Sequence, residues 1–309
     1  MLKNIFLLVL LSIFTFFNTT TKSDVSIVVS IDQKIITNYD IQNEANYLQI
    51  LNPDLKQLDK ENILKLSKES LVREIIKKNE VEKVFDFSLE NPFVNEYLKN
   101  LYTKLNFTNE NEFNDYIINF SDYSLDDIKQ KLKIEIAWNE LIYLKYKNQI
   151  NIDKEKLKIK INQLSDKTIK EYKLSEIVFM KRKNENLQDL ISLIKSNIKE
   201  IGFNNTANIY SISESAKFGG NIGWIDENNL TDKLVESLEK ISIGQNTDVI
   251  QLGNNFIIIK IDEIKETNSP IDKNKELEKM IKFETNKQLN QFSRIFFDKS
   301  KINYNINEK

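Results

Sequence analysis

The chain has 309 residues, 40% of them hydrophobic and 29% charged, which makes it globular rather than disordered and long enough for about two domains with cores of their own. Its formal net charge is −2, with Lys and Arg scattered among Asp and Glu, and this excludes the basic face that nucleic-acid binding needs. Cys and His are both absent, which removes disulfides, Cys or His metal ligands, Cys–His pairs and Ser–His–Asp triads. Any chemistry must come from carboxylates, hydroxyls, Lys and Arg, or from shape, and neither a metal nor a cofactor is expected.

Residues 1–23 read as a secretory signal peptide. Lys3 supplies a positive start, Ile5–Phe17 is an apolar run, and small polar residues follow to Ser23. As a helix that run spans ~20 Å, short of a ~30 Å hydrocarbon core. Thr21-Lys22-Ser23 lacks the usual small-residue cleavage pattern, so an uncleaved N-terminal anchor stays open as the alternative. In both cases the rest of the chain is exported, and no later apolar run is long enough to span a membrane.

Val25–Ile31 and Lys34–Thr37 are rich in β-branched residues and predict two short strands around Asp32-Gln33. Thr37 or Asn38 then caps a helix. Helices are predicted over 60–84, over 92–105 with Pro92 in the first turn, from Thr108, and over 125–149 behind a Ser124 cap. On the last of these, Asp126, Asp127, Glu135 and Glu140 read as a solvated face rather than a catalytic pair. Asp153–Gln163 predicts a connecting helix.

Beyond it the periodicity changes. Tyr172–Phe179 alternates as a strand, Glu185–Lys199 and Asn204–Ser211 are helical, and strand Ile222–Ile225, helix Thr231–Lys240 and strands Asp248–Leu252 and Phe256–Ile264 follow. The β-α-α-β-α-β-β order predicts a compact α+β unit that ends at Pro270. All six glycines of the chain, Gly202, Gly219, Gly220, Gly223, Gly244 and Gly253, fall in this unit, so its tight backbone geometry is concentrated there. Lys273–Lys299 is a charged helix with an apolar stripe from Leu277 to Phe296, read as packing against the N-terminal part rather than as an open client groove. Ile302–Ile306 alternates as a final strand that needs a sheet to join, and the N-terminal hairpin is the natural partner.

With Leu174-Ser-Glu-Ile-Val-Phe179, Ala207–Ser213, Gly219-Gly-Asn-Ile-Gly-Trp224, Gly244-Gln245 and Asn255–Ile259 in place, the chain resembles the SurA-type periplasmic chaperones, whose central unit is a parvulin-type peptidyl-prolyl isomerase domain. Val28–Ile41, Phe107–Leu141 and Lys273–Ile306 extend the resemblance to the N-terminal body and its returning C-terminal piece. It implies an α+β protein: signal peptide 1–23, helical body 24–168, parvulin-like domain 169–267, and a C-terminal helix and strand, 268–309, packed on the body. It places the first and last strands of the parvulin-like domain side by side in mid-sheet.

The resemblance also implies ATP-independent binding of unfolded envelope or outer-membrane polypeptides in the periplasm. Where active parvulins carry two His and a Cys or Asp, the aligned positions are Glu176, Ser213 and Ile257, while Leu230 and Leu234 align with the apolar wall of the proline pocket. All of the usual groups are missing, so isomerase activity is expected to be weak or lost, with a working isomerase as the alternative. From the residues themselves, Glu176 reads as a pocket-rim or solvated carboxylate, Ser213 as a cap or turn residue, and Trp224 as core.

Overall fold

The computed structural model describes residues 25–87, 91–163, 169–181, 185–267 and 272–309. The expected signal peptide and Pro270 lie outside these residues. Strands β1 (Ile27–Ile31) and β2 (Lys34–Thr37) pair antiparallel. Their turn uses Asp32 at φ 49°, a left-handed conformation that Asp tolerates. Thr37 begins α1 (Asn38–Leu51) with a reciprocal capping box to Asp40.

Helices α2 (Lys60–Glu82), α3 (Val94–Lys104), α4 (Glu110–Phe120), α5 (Leu125–Tyr146) and α6 (Lys154–Gln163) complete the first half. Pro92 sits before α3 rather than in its first turn.

The second half holds β3 (Ile169–Phe179), α7 (Leu187–Ile201), α8 (Phe203–Tyr210), β4 (Asn221–Asp226), α9 (Asp232–Leu238), β5 (Ile250–Leu252) and β6 (Asn255–Thr267). They form an antiparallel sheet in the order β4-β3-β6-β5, with the first and last strands central, as expected. Ile177, Phe179 and Ile258 face α7 and α8, whereas Leu174, Ile257, Ile259 and Ile261 form the opposite face with Leu230 and Leu238. Alternation along each central strand thus supplies two apolar layers.

α10 (Lys273–Lys301) returns to the helical body, and β7 (Ile306–Glu308) pairs with β1. The expected partner is found, but the strand lies later than predicted. Asn303 and Tyr304 N–H donate to the carbonyls of Ser300 and Lys301, so Ile302 stands in the helix-ending turn, 82% exposed, and pairing begins at Ile306. Tyr304 is held by packing, with its hydroxyl donating to Glu80 at 2.7 Å.

Trp138 is the centre of the body. It is 1% exposed, packs tilted against Phe296 and edge-on to Phe297, and donates its indole N–H to Ser293 Oγ at 2.8 Å. The Leu289–Phe296 part of the α10 stripe is therefore core, as predicted. Among the described residues no helix is long and apolar enough to cross a membrane.

Candidate peptide-binding site

Glu176 lies mid-way along β3, on the sheet face shared with Val178, Ile257 and Ile259. Its N–H donates to Gly220 O at 2.8 Å. Gly220, at φ 81°, brings its backbone so close that an added Cβ would stand 2.3 Å from Glu176 O. This close approach is the physical requirement behind Gly220, while a Cβ on Gly219 would stand 2.8 Å from the Asn204 side chain. The approach of Gly220 docks the turn Glu214–Phe218 against β3.

On that turn Ser213 Oγ donates to Glu176 Oε1 at 2.6 Å, and Ser215 Oγ lies 3.0 Å from the same oxygen and 3.1 Å from Ser213 Oγ. Ser213 also accepts from Ser215 N, so it caps the turn as expected and engages Glu176 as well. Burial pushes the Glu176 carboxyl above its ordinary value, and the two serine hydroxyls pull it part of the way back. Glu176 is thus a half-buried, hydrogen-bonded carboxyl rather than a solvated one.

The other predicted positions converge on the same face. Ile257, 7% exposed, Leu230 and the partly buried Leu234 pack in one cluster with Val178. Of the five candidates, two belong to the hydrogen-bonded carboxyl–hydroxyl group and three to the apolar cluster beside it. The arrangement sets an apolar cluster beside a carboxyl with two hydroxyls, and it holds no imidazole or thiol.

Trp224 departs from expectation. β4 is an edge strand, and the Trp224 side chain is 42% exposed beneath the Lys265 ammonium, 5.6 Å from the ring centre. Glu135 departs too: it does not face open solvent but pairs with Lys77 at 2.9 Å and Lys217 at 3.7 Å. Asp127 caps α5 through Ser124, and Glu140 is exposed.

Sequence reasoning missed Ser215, although the Ser213-Glu214-Ser215 alternation, with Glu214 pointing the other way, was the available signal. A cleft of about 190 Å³ lies between body and domain, lined by Leu48, Leu51 and Leu132 on one side and Ile209, Ser213 and Phe218 on the other. No metal-binding group of His, Cys, Asp and Glu occurs among the described residues.

A search of curated proteins finds no match. Among solved structures, a peptidylprolyl isomerase, PrsA, from Bacillus anthracis is 18% identical, covering 78% of this chain and 98% of its own, with a TM-score of 0.32. A structure from a pair described as SurA-like chaperones of Campylobacter jejuni, PEB4 and Cj1289, is 18% identical over 92% of this chain and 99% of its own, at 0.34. The parvulin domain of PpiD from E. coli is 24% identical over 32% of this chain and 92% of its own, at 0.27. The model of the rotamase family, described as the PPIC-type PPIase domain, matches residues 169–263, the span that carries all of the sheet but the end of β6, the Gly220 docking and the Glu176 cluster. Residues 169–263 are a PPIC-type peptidyl-prolyl isomerase domain, a parvulin.

Proposed function

We propose that this protein is a folding helper for exported polypeptides, acting without ATP in the periplasm after its signal peptide directs export. Its clients are unfolded envelope chains, outer-membrane proteins among them, held by the helical body and by the parvulin domain. Isomerase activity is weak or lost. The observation that supports this reading is the make-up of the parvulin face: Leu230, Leu234 and Ile257 pack in one apolar cluster, while the polar groups beside it are a carboxyl with two hydroxyls already committed to one another.

Twisting a prolyl amide meets a barrier of about 18–20 kcal/mol. Lowering it requires groups that favour the twisted amide over the planar one. An apolar cluster without a free donor beside it binds proline but stabilises that twisted form poorly.

Two assays on one preparation test this. Suppression of a model client's aggregation is expected, and no effect at several-fold molar excess removes the chaperone reading. A protease-coupled prolyl-peptide assay should give turnover near the uncatalysed rate. Turnover well above it, lost in Glu176→Ala or Ser213→Ala, would replace this reading with a working isomerase whose polar set is Glu176 and Ser213.

A further inference from the structure

The turn that carries Ser213 and Ser215 has two sides, and the second is docked on the helical body. Glu214, between the serines, points away from Glu176 to Lys77 of α2. Lys77 Nζ stands 3.5 Å from both Glu214 oxygens and 2.9 and 3.1 Å from those of Glu135 on α5. Its side chain is 1% exposed, with the Trp138 ring 5.5 Å away. Arg73 reaches Glu214 at 3.7 Å. Burial pushes the Glu214 carboxyl up, but Lys77, Lys217 and Arg73 outweigh it and hold the group below its ordinary range, even with Glu135 opposing them.

The same turn is tied twice more. Phe218 packs on the body cluster of Tyr47, Leu51 and Leu101, under the Lys104 ammonium 4.0 Å from its ring centre. Asn52 of the body donates to Asn208, whose amide in turn donates to the carbonyl of Ala216.

A lysine sequestered this completely is costly unless paired, and one of its two partners belongs to the turn that builds the parvulin site. We infer that Lys77 is a positioning residue for that site, acting through Glu214 to hold the Ser213–Ser215 turn against Glu176, so that the body sets the geometry of the domain's peptide-binding face. Adjacent residues of one tight turn cannot move independently, and a shift of Glu214 displaces both serine hydroxyls. This deepens the function proposed above and rests on the parvulin face being a prolyl-peptide site.

Glu214→Gln in the full chain is the test, because Lys77 keeps Glu135 and the body keeps its pairing. Glu74→Gln is the matched control: Glu74 pairs with a second buried lysine, Lys131, which retains Glu44 at 2.8 Å. Hydrogen exchange reads the site without any need for turnover. The Glu176 N–H is held by Gly220 O at 2.8 Å and the Ile212 N–H by Val178 O at 2.7 Å. Glu214→Gln should speed exchange of these two amides by about fivefold or more. It should also weaken binding of a short Ala-Pro-Phe peptide, titrated by NMR, by a similar factor, about 1 kcal/mol. Glu74→Gln should leave both unchanged.

Lys77→Met should act in the same direction and more strongly. Site exchange and affinity within twofold of the parent chain in Glu214→Gln would overturn the inference. A parent chain that binds no prolyl peptide would instead sink the functional reading, and the exchange arm would still decide whether Lys77 and Glu214 position the turn.

Discussion

Ser213 and Ser215 each carry one hydroxyl proton, and both protons have acceptors inside the domain. With Glu176 ionised, neither is free for a substrate amide. When Glu176 is protonated, the carboxyl itself becomes a donor. Burial raises its titration above the ordinary range, so the donor form appears at higher pH than for a solvated glutamate. Any isomerase turnover should therefore rise as pH is lowered from neutrality through the raised titration of Glu176, and Glu176→Gln should flatten that profile.

Stability runs the same way. The unfolded chain ionises Glu176 first, so between the unfolded and folded pKa values the folded state binds more protons, and stability falls as pH rises. Gln keeps an acceptor for the serines and removes the charge. Glu176→Gln should melt higher than the parent at neutral pH, and the gap should close towards about pH 4. Calorimetry at the two pH values checks it, and a gap of equal size at both would refute the assignment.

Two glycines of the motif separate conformational strain from collision. Gly223, at φ 78°, has nothing within 4 Å of an added Cβ, whereas Gly220, at φ 81°, has a carbonyl oxygen at 2.3 Å. Gly223→Ala should cost about 1–2 kcal/mol for the left-handed backbone alone. Gly220→Ala adds a clash with backbone that cannot step aside, for a total of about 2–5 kcal/mol. Urea denaturation of the two variants reads the difference.

At the scale of elements, α10 owes its place to Trp138. The indole N–H is buried, and Ser293 is its acceptor at 2.8 Å. Ser293→Ala removes that acceptor with little change in volume, so about 1–3 kcal/mol should be lost. Ser293→Thr should keep most of it if the added methyl fits.

The stripe Leu289, Phe292 and Phe296 was legible because helical periodicity marks a buried face whatever it packs against. The final strand was legible as a strand but not in position. Alternation in 302–306 cannot reveal that the helix needs the carbonyls of Ser300 and Lys301 to end its last turn. Trp224 and Glu135 were misjudged for a related reason. Whether a large ring on an edge strand is covered, or a carboxylate on a helix meets a buried lysine from another element, is decided by partners far away in sequence. The approach of Gly220 to the Glu176 carbonyl was not legible either, and Leu230, Leu234 and Ile257, which share one cluster, were singled out by the family resemblance rather than by any pattern in the residues around them. The Lys77–Glu214 contact had no local signature.

For the whole molecule, the question is which parts can stand alone. Both apolar layers of the parvulin domain, around Leu174, Ile257 and Ile259 and around Ile177, Phe203 and Ile258, draw on residues of that domain. The body does not have this independence, because β1 needs β7, Trp138 needs α10, and Asn151 and Gln288 exchange backbone–side-chain hydrogen bonds at 2.9 and 2.7 Å. Fragment 169–267 should therefore melt cooperatively on its own. Fragment 25–163 should not, and should bind a hydrophobic dye as a loosely packed state.

Replacing 164–271 by a flexible linker that spans from α6 to α10 should restore a cooperative body, since those two helices already pack on each other. This shortened chain also divides the work of client binding. If the body is the principal holder of unfolded chains, it should suppress aggregation at a molar ratio within about threefold of the full protein. If the parvulin face is essential, suppression should vanish although the melt is intact. A cooperative melt from fragment 25–163 alone would show instead that the returning helix and strand are an addition to a body already folded.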